Sequence, residues 1–303
     1  MHDQQIIGLS LLPISLIGVF TNWLIWVTVI RFKTFRHSFA FLTACQSFSD
    51  AMECTVFLFY VFPMIVFDIK ILKSNSHYGG LIVNVFYEMS IQTHTILSIN
   101  RFTAVCFPFA YQKMFSLQRT KQIYLGYTIV SISYLLIIAK IVGCEGYYND
   151  DHWYFEYTDN PICTSYGFYG DFLRSLIMAV LNLLIDLITI AKVRMNSRKI
   201  GQDSLRFKKK EAAFLKQTVG QGFLMVVYQI LYWIVPPYIA NHMLLFITTT
   251  FLLCAVHAVD GFWVLLYNTE VRDVLLRSHR NQTTVSTFGD ANQSKNSIRR
   301  FTM

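Results

Sequence analysis

Residues 11–30, LLPISLIGVFTNWLIWVTVI, contain no charged side chain. A helix that is apolar on every face belongs inside a large core or across a bilayer, and at about 1.5 Å per residue these twenty positions match the roughly 30 Å of membrane hydrocarbon. Six further predominantly apolar runs follow, so that the candidates are 6–30, 41–67, 79–104, 122–143, 171–193, 214–239 and 243–267. Two-residue alternation with regular turn signals, the mark of a membrane barrel, is absent. The chain is 54% hydrophobic and 15% charged, against about 25% charged in soluble domains. It reads as an all-α membrane protein, a bundle of seven transmembrane helices.

Orientation follows from the short joints, because lysine and arginine are retained on the cytoplasmic side. Arg31, Lys33 and Arg36 follow the first run, and Arg101, Lys113, Arg119 and Lys121 follow the third. After the fifth, the block from Lys192 to Lys216 holds nine basic and two acidic residues. Residues 144–163 instead hold Glu145, Asp150, Asp151, Glu156 and Asp159 with no lysine or arginine, and the joint near Asn241 has no formal charge unless His242 is protonated. The N-terminus is therefore expected outside and the tail inside. The net charge of +8 lies in cytoplasmic loops where topology requires it, so nucleic acid is not an expected partner. The first run is too long, and its cations too late, for a cleavable signal peptide.

Cys45, Cys54, Cys106 and Cys254 fall in or beside helices, where reduced, space-filling thiols are the rule. Cys144 and Cys163 bracket the acidic outer loop in an oxidising compartment. A Cys144–Cys163 bridge is expected there, worth about 3 kcal/mol in the chain-entropy model; the rival is one free thiol and one buried one.

The stretch INRFTAVCFPFAY, residues 99–111, places Arg101 at the cytoplasmic end of the third run, where its stem can reach the interface. Asn100, Arg101 and Phe102, with Pro108 and Tyr111 beyond, resemble the Asp-Arg-Tyr motif and second inner loop of rhodopsin-like G-protein-coupled receptors. Other positions agree: Asn22 four after Gly18, Asp50 eight after Leu42, Ser90 eleven before Arg101, the bend YWIVPPY at 232–238, and the closing string DGFWVLLYNTEVR at 260–272. Departures are Gly261 for a proline, Val264 for a tyrosine, Asn100 for an acid, and no cysteine near residues 75–80. These departures, with SFAFLTACQSFSDAMECTVFLFYVFPM and SINRFTAVCFPFAYQKMF, are similar to the Srx class of nematode serpentine chemoreceptors, over residues 6–275.

The resemblance implies a receptor domain over 1–272, a short amphipathic helix after the seventh span, and a polar tail over 273–303 expected to be disordered. It implies a multi-pass protein of the plasma membrane, in sensory neuron cilia, that binds a small extracellular molecule and activates a heterotrimeric G protein. Asn100, Arg101, Phe102, Pro108 and Tyr111 would form the coupling latch, with Arg101 needing a resting partner other than residue 100. Asn22, Asp50, Ser90 and Asp260 would form a polar core, either holding a sodium ion or proton or simply joining helices. Val83, Asn84, Tyr87, Glu88, Trp233, Tyr238, Thr250 and Cys254 are the candidate pocket lining, with Glu88 either meeting a cationic ligand, pairing with Arg174, or staying protonated. Pro236 and Pro237 would bend the sixth helix as a hinge, loosened further by Gly220 and Gly222. The acidic loop reads as a solvated lid, the rival being a surface that attracts cations or a basic peptide, and the tail serines and threonines as phosphorylation sites for an arrestin-like partner.

Other readings are a peptide or transmitter receptor of the same superfamily, a seven-helix transporter, or a membrane scaffold. A transporter calls for internal repeats or facing broken helices, and neither is evident. No His-Glu-x-x-His, Gly-x-Ser-x-Gly or phosphate-loop motif suggests an enzyme.

Overall fold

Continuous apolar runs produce long helices because a bilayer leaves backbone groups no partner but one another, and the computed structural model has seven such helices among its described residues, 3–32, 36–200, 205–268 and 271–275. Side chains of 197–200 and 205–216 are also outside the description, as are Lys33, Glu270 and the tail from 276 onward, where phosphorylation is expected.

Helix α1 runs as Asp3–Gly8 and, after a turn, Leu11–Arg31; α2 is Ser38–Val66 and α3 is Ser76–Cys106. Helix α4 is Leu117–Val142, α5 runs from Pro161 through Ile200, α6 is Leu205–Trp233 and α7 is His242–Tyr267. Five of them, α1, α2, α4, α5 and α7, are long and apolar enough to cross a membrane on composition alone. The other two are long but more polar. In α3 the reason is visible, since Ser90, Gln92, Thr93, Ser98, Asn100 and Arg101 are all buried against neighbours.

Local chemistry sets the helix ends. Asn160 Oδ1 accepts the Cys163 N–H at 2.8 Å and Asn241 Oδ1 accepts those of Met243 and Leu244 at 2.9 and 3.2 Å, so α5 and α7 each start on an asparagine cap. Pro236 and Pro237 do not bend α6. The helix has already ended at Trp233, and the prolines form a short 3-10 turn, Pro236–Tyr238, since neither offers an N–H with which a helix could continue. Gly220 gives α6 closeness rather than looseness: a Cβ there would meet the Trp263 ring of α7 at 2.4 Å.

Helix α3 is the central post, packed on α2, α4, α5 and the loop hairpin, while α1, α2 and α7 pack together and α6 closes the ring between α5 and α7. Large side chains such as Phe59, Val130 and Ile141 stay exposed on faces suited to lipid. Residues 271–275 are helical after Asn268, whose Oδ1 accepts the Val271 N–H at 3.2 Å, and Val271 packs with Ile25, Val29, Ala40 and Val264.

The acidic loop is not a loose lid. Gly146–Asn149 (β1) and Tyr154–Tyr157 (β2) pair antiparallel, with Tyr148 opposite Phe155. Those two rings face the core at 5.4 Å, a two-residue alternation hidden by the acids around it. The Cys144–Cys163 disulfide closes the base of this hairpin onto α5. Ser76 accepts the Tyr148 N–H at 3.1 Å, Tyr232 donates to the Phe155 carbonyl at 2.7 Å and Thr250 to the Trp153 carbonyl at 3.0 Å, tying the hairpin to α3, α6 and α7. Four π-helical turns, Phe57–Val61, Ile137–Val142, Tyr166–Leu173 and Ile247–Phe251, lie toward this end of α2, α4, α5 and α7.

Candidate functional site

Under the hairpin lies a cavity of about 700 Å³. Its walls come from α3 (Gly80, Val83, Asn84, Tyr87), the hairpin, α5 (Gly167, Phe168, Asp171), α6 (Tyr228, Tyr232, Trp233) and the turn after it (Pro236, Pro237), with Leu253 of α7. Gly80 is where hairpin and helix meet; a Cβ on it would lie 2.2 Å from the Gly146 carbonyl oxygen. Asn84 donates to the Tyr157 hydroxyl at 3.3 Å, and that hydroxyl donates to Asp171 Oδ2 at 2.8 Å. On the hairpin, Tyr147 donates to Glu156 Oε1 at 2.9 Å. Burial, reinforced by that carboxylate, raises the phenol to about 12 and keeps it a donor.

Of the expected lining, Val83, Asn84, Tyr87 and Trp233 border the cavity. Four residues do not. Glu88 is buried in a bidentate pair with Arg174, whose Nη1 lies 2.5 Å from Glu88 Oε1 and whose Nη2 holds Oε2, while Gln92 donates to Oε1 at 2.7 Å. Tyr238, beyond the end of α6, is 84% exposed. Thr250 is engaged by the hairpin carbonyl, and Cys254 is fully buried in the apolar core.

Below the cavity the polar core is larger than Asn22, Asp50, Ser90 and Asp260. Ser90 donates to Asp50 Oδ1 at 2.7 Å, and the His257 Nδ1 meets the same oxygen at 2.8 Å. The other ring nitrogen of His257 lies 3.0 Å from Glu53 Oε2, within ion-pair reach although its angle falls outside hydrogen-bond geometry. Asp260 Oδ2 is met by His94 Nε2 at 2.7 Å and Gln46 Nε2 at 3.2 Å. Asn22 donates to the Gly18 and His257 carbonyls, each at 3.0 Å. Gly261, where the resemblance has proline, leaves room for this amide: a Cβ there would stand 2.4 Å from Asn22 Oδ1.

This donor set joins its carboxylates through histidine: the His257 ring stands between those of Asp50 and Glu53. Among the described residues no group of three acid, histidine or cysteine side chains is arranged to hold a metal.

At the far end of α3, Arg101 Nη2 reaches Asp186 Oδ2 of α5 at 3.1 Å, with Ser98 donating to the same carboxylate oxygen at 3.1 Å. Both partners are buried. Asn100 donates to Ser38 at 3.3 Å, and Ser38 shares a 2.9 Å hydrogen bond with Tyr111. Phe102 packs edge-on against Phe107, and Pro108 opens the short helix Pro108–Met114. Sequence reasoning named none of Gln46, Glu53, His94, Asp186 or His257. For all but Gln46 the signal is present, because an ionisable side chain inside a span is a functional candidate wherever it occurs.

A helical bundle with a roofed cavity at one end and a buried arginine–aspartate pair at the other has the form of a seven-transmembrane receptor. Residues 12–268 match the family model for the serpentine type seven-transmembrane G-protein-coupled chemoreceptors of class Srx, and the chain belongs to that family. It is 28% identical to Serpentine receptor class X 45 of Caenorhabditis elegans, over 93% of this chain and 83% of that protein. It is 22% identical to Serpentine receptor class X-43 of the same organism, over 91% and 88%.

Proposed function

We propose that this receptor of the serpentine chemoreceptor family binds a small extracellular molecule in the cavity under the hairpin and activates a heterotrimeric G protein at the Arg101 end. In this reading the hairpin end faces outward and the latch faces the cytoplasm, at the plasma membrane of a chemosensory cell, with an arrestin-like protein as a further partner of the tail. The observation that carries it is the Arg101–Asp186 pair. The motif around Arg101 lacks its usual neighbouring carboxylate, and α5 supplies one at 3.1 Å in a buried setting. A buried ion pair has two discrete states, made and broken, as a switch needs.

Between the ends, Tyr87 lines the cavity and meets the His257 ring edge-on at 6.1 Å, and His257 holds Asp50. Ligand contact with Tyr87 thereby has a packed route into the polar core, and α3 carries both Tyr87 and Arg101. The Glu88–Arg174 pair fixes α3 to α5 beside the cavity. Asp50, Ser90 and Asp260 then act with His94 and His257 as a network whose rearrangement separates the two states. No ion is required there.

The test is nucleotide exchange on a purified heterotrimeric G protein by the full chain in lipid nanodiscs. Receptor-dependent exchange that disappears in Arg101→Ala supports the reading. A wild-type chain that never promotes exchange, with any of several G proteins, leaves the transporter and scaffold readings in its place.

A further inference from the structure

The polarity of the hairpin cavity identifies the class of molecule it takes, if that cavity is the ligand site as proposed above. Three carboxylates, Glu156, Asp159 and Asp171, line it, and no lysine or arginine does. Three cations at this end of the bundle are engaged elsewhere. Lys73 lies 2.7 Å from Asp68 and 2.6 Å from Asp150, Lys140 lies 2.5 Å from Glu145, and the Arg174 guanidinium is held by Glu88. His152, on the hairpin, is itself 3.3 Å from Glu156.

Aromatic rings make up much of the remaining wall. Tyr157 and Trp233 lie nearly parallel with centroids 6.3 Å apart, and Tyr154, Phe168 and Tyr232 stand around them. Ring faces carry negative potential and attract cations, quaternary ammonium groups above all. Asp171 is only partly buried, and the neutral Tyr157 of the cavity wall donates to it. An anionic ligand would meet three like charges in a partly desolvated space. A bare inorganic cation would leave most of about 700 Å³ unfilled, a volume in the usual range for small organic ligands.

We infer that the cavity binds an organic cation, an ammonium or quaternary ammonium group on an apolar body, with its charge beside Asp171 and its body against Tyr157, Tyr232 and Trp233.

The probes are choline and benzyltrimethylammonium, each paired with its uncharged carbon isostere, 3,3-dimethylbutan-1-ol and neopentylbenzene, with phenylacetate as the anion. Binding to the full chain in nanodiscs is read by saturation-transfer NMR and by thermal stabilisation, and activation by nucleotide exchange. The expected result is at least tenfold tighter binding of a cation than of its isostere, with the preference lost in Asp171→Asn. Trp233→Leu, which removes an aromatic wall and no charge, should weaken cation and isostere unequally, the cation more. Isosteres or phenylacetate binding as well as the cations, or no cation binding at millimolar concentration, overturns the inference. Basal exchange by Asp186→Asn separates the two readings. If it rises while the cations fail, the receptor reading stands and this one falls; cations that bind through Asp171 without any exchange by any variant reverse that outcome.

Discussion

Asp186→Asn is the most direct perturbation of the proposed switch. It keeps the size of the side chain and removes the charge that faces Arg101 at 3.1 Å. Arg101 is 8% exposed and Asp186 4% exposed, so solvent screens this pair little. Removing one partner of a buried pair costs about 3–5 kcal/mol, because the other charge is left without compensation. The asparagine oxygen still accepts a hydrogen bond from a charged donor, which returns about 1.5–3 kcal/mol. A net loss of about 1.4 kcal/mol to the latched state is a tenfold change in its equilibrium with the unlatched one. A minor active state of about 1% then rises to about 10%. Asp186→Ala, which retains no acceptor, should raise it further. The assay is ligand-free nucleotide exchange at matched receptor density, with Arg101→Ala/Asp186→Asn as the control that must lose the gain. Unchanged or reduced basal exchange in a variant that folds normally would refute the latch.

Four other outcomes are expected. His257→Leu strips the Asp50 and Glu53 carboxylates of the ring between them and should lower the melting temperature through a loss of about 3–5 kcal/mol; Asp50→Asn in the same chain should recover part of it, and strictly additive effects in a double-mutant cycle would show that the groups do not interact. Nucleotide exchange should be the same when sodium is replaced by N-methylglucamine, because His257 is the partner Asp50 meets; a sodium-dependent wild type would restore the ion to the mechanism. Gly261→Ala pushes a methyl group to within 2.4 Å of Asn22 Oδ1 and should destabilise by about 1–3 kcal/mol, with Asn22→Ala as a suppressor in thermal unfolding. Cys144→Ser/Cys163→Ser opens a 19-residue separation worth about 3 kcal/mol, and dithiothreitol should reproduce its lowered melting temperature in the wild type and add nothing to the variant.

Hydropathy located most of the helices to within a turn or two, though the fifth, expected at 171–193, begins at Pro161 and continues to Ile200. The expected 41–67 and 243–267 became Ser38–Val66 and His242–Tyr267. Expectation and structure parted where something other than hydrocarbon sets the structure. Apolarity alone carries the sixth run to 239, whereas its helix ends at Trp233, just before two prolines. The hairpin escaped notice because only Tyr148 and Phe155 face the core on their strands, and acids beside them dominate the composition. The site divides the same way. Asp50 and Asp260 stand out along the chain because a charge inside a span is costly, and Arg101 because of the motif around it. Their partners do not stand out as partners: Asp186 follows Arg101 by 85 positions and His257 follows Asp50 by 207, so only the packing of α3 on α5 and of α7 on α2 brings each pair together. Periodicity states which face of a helix is buried but not which neighbour it meets. That neighbour decides what a buried acid pairs with, and for Asp50 it is His257.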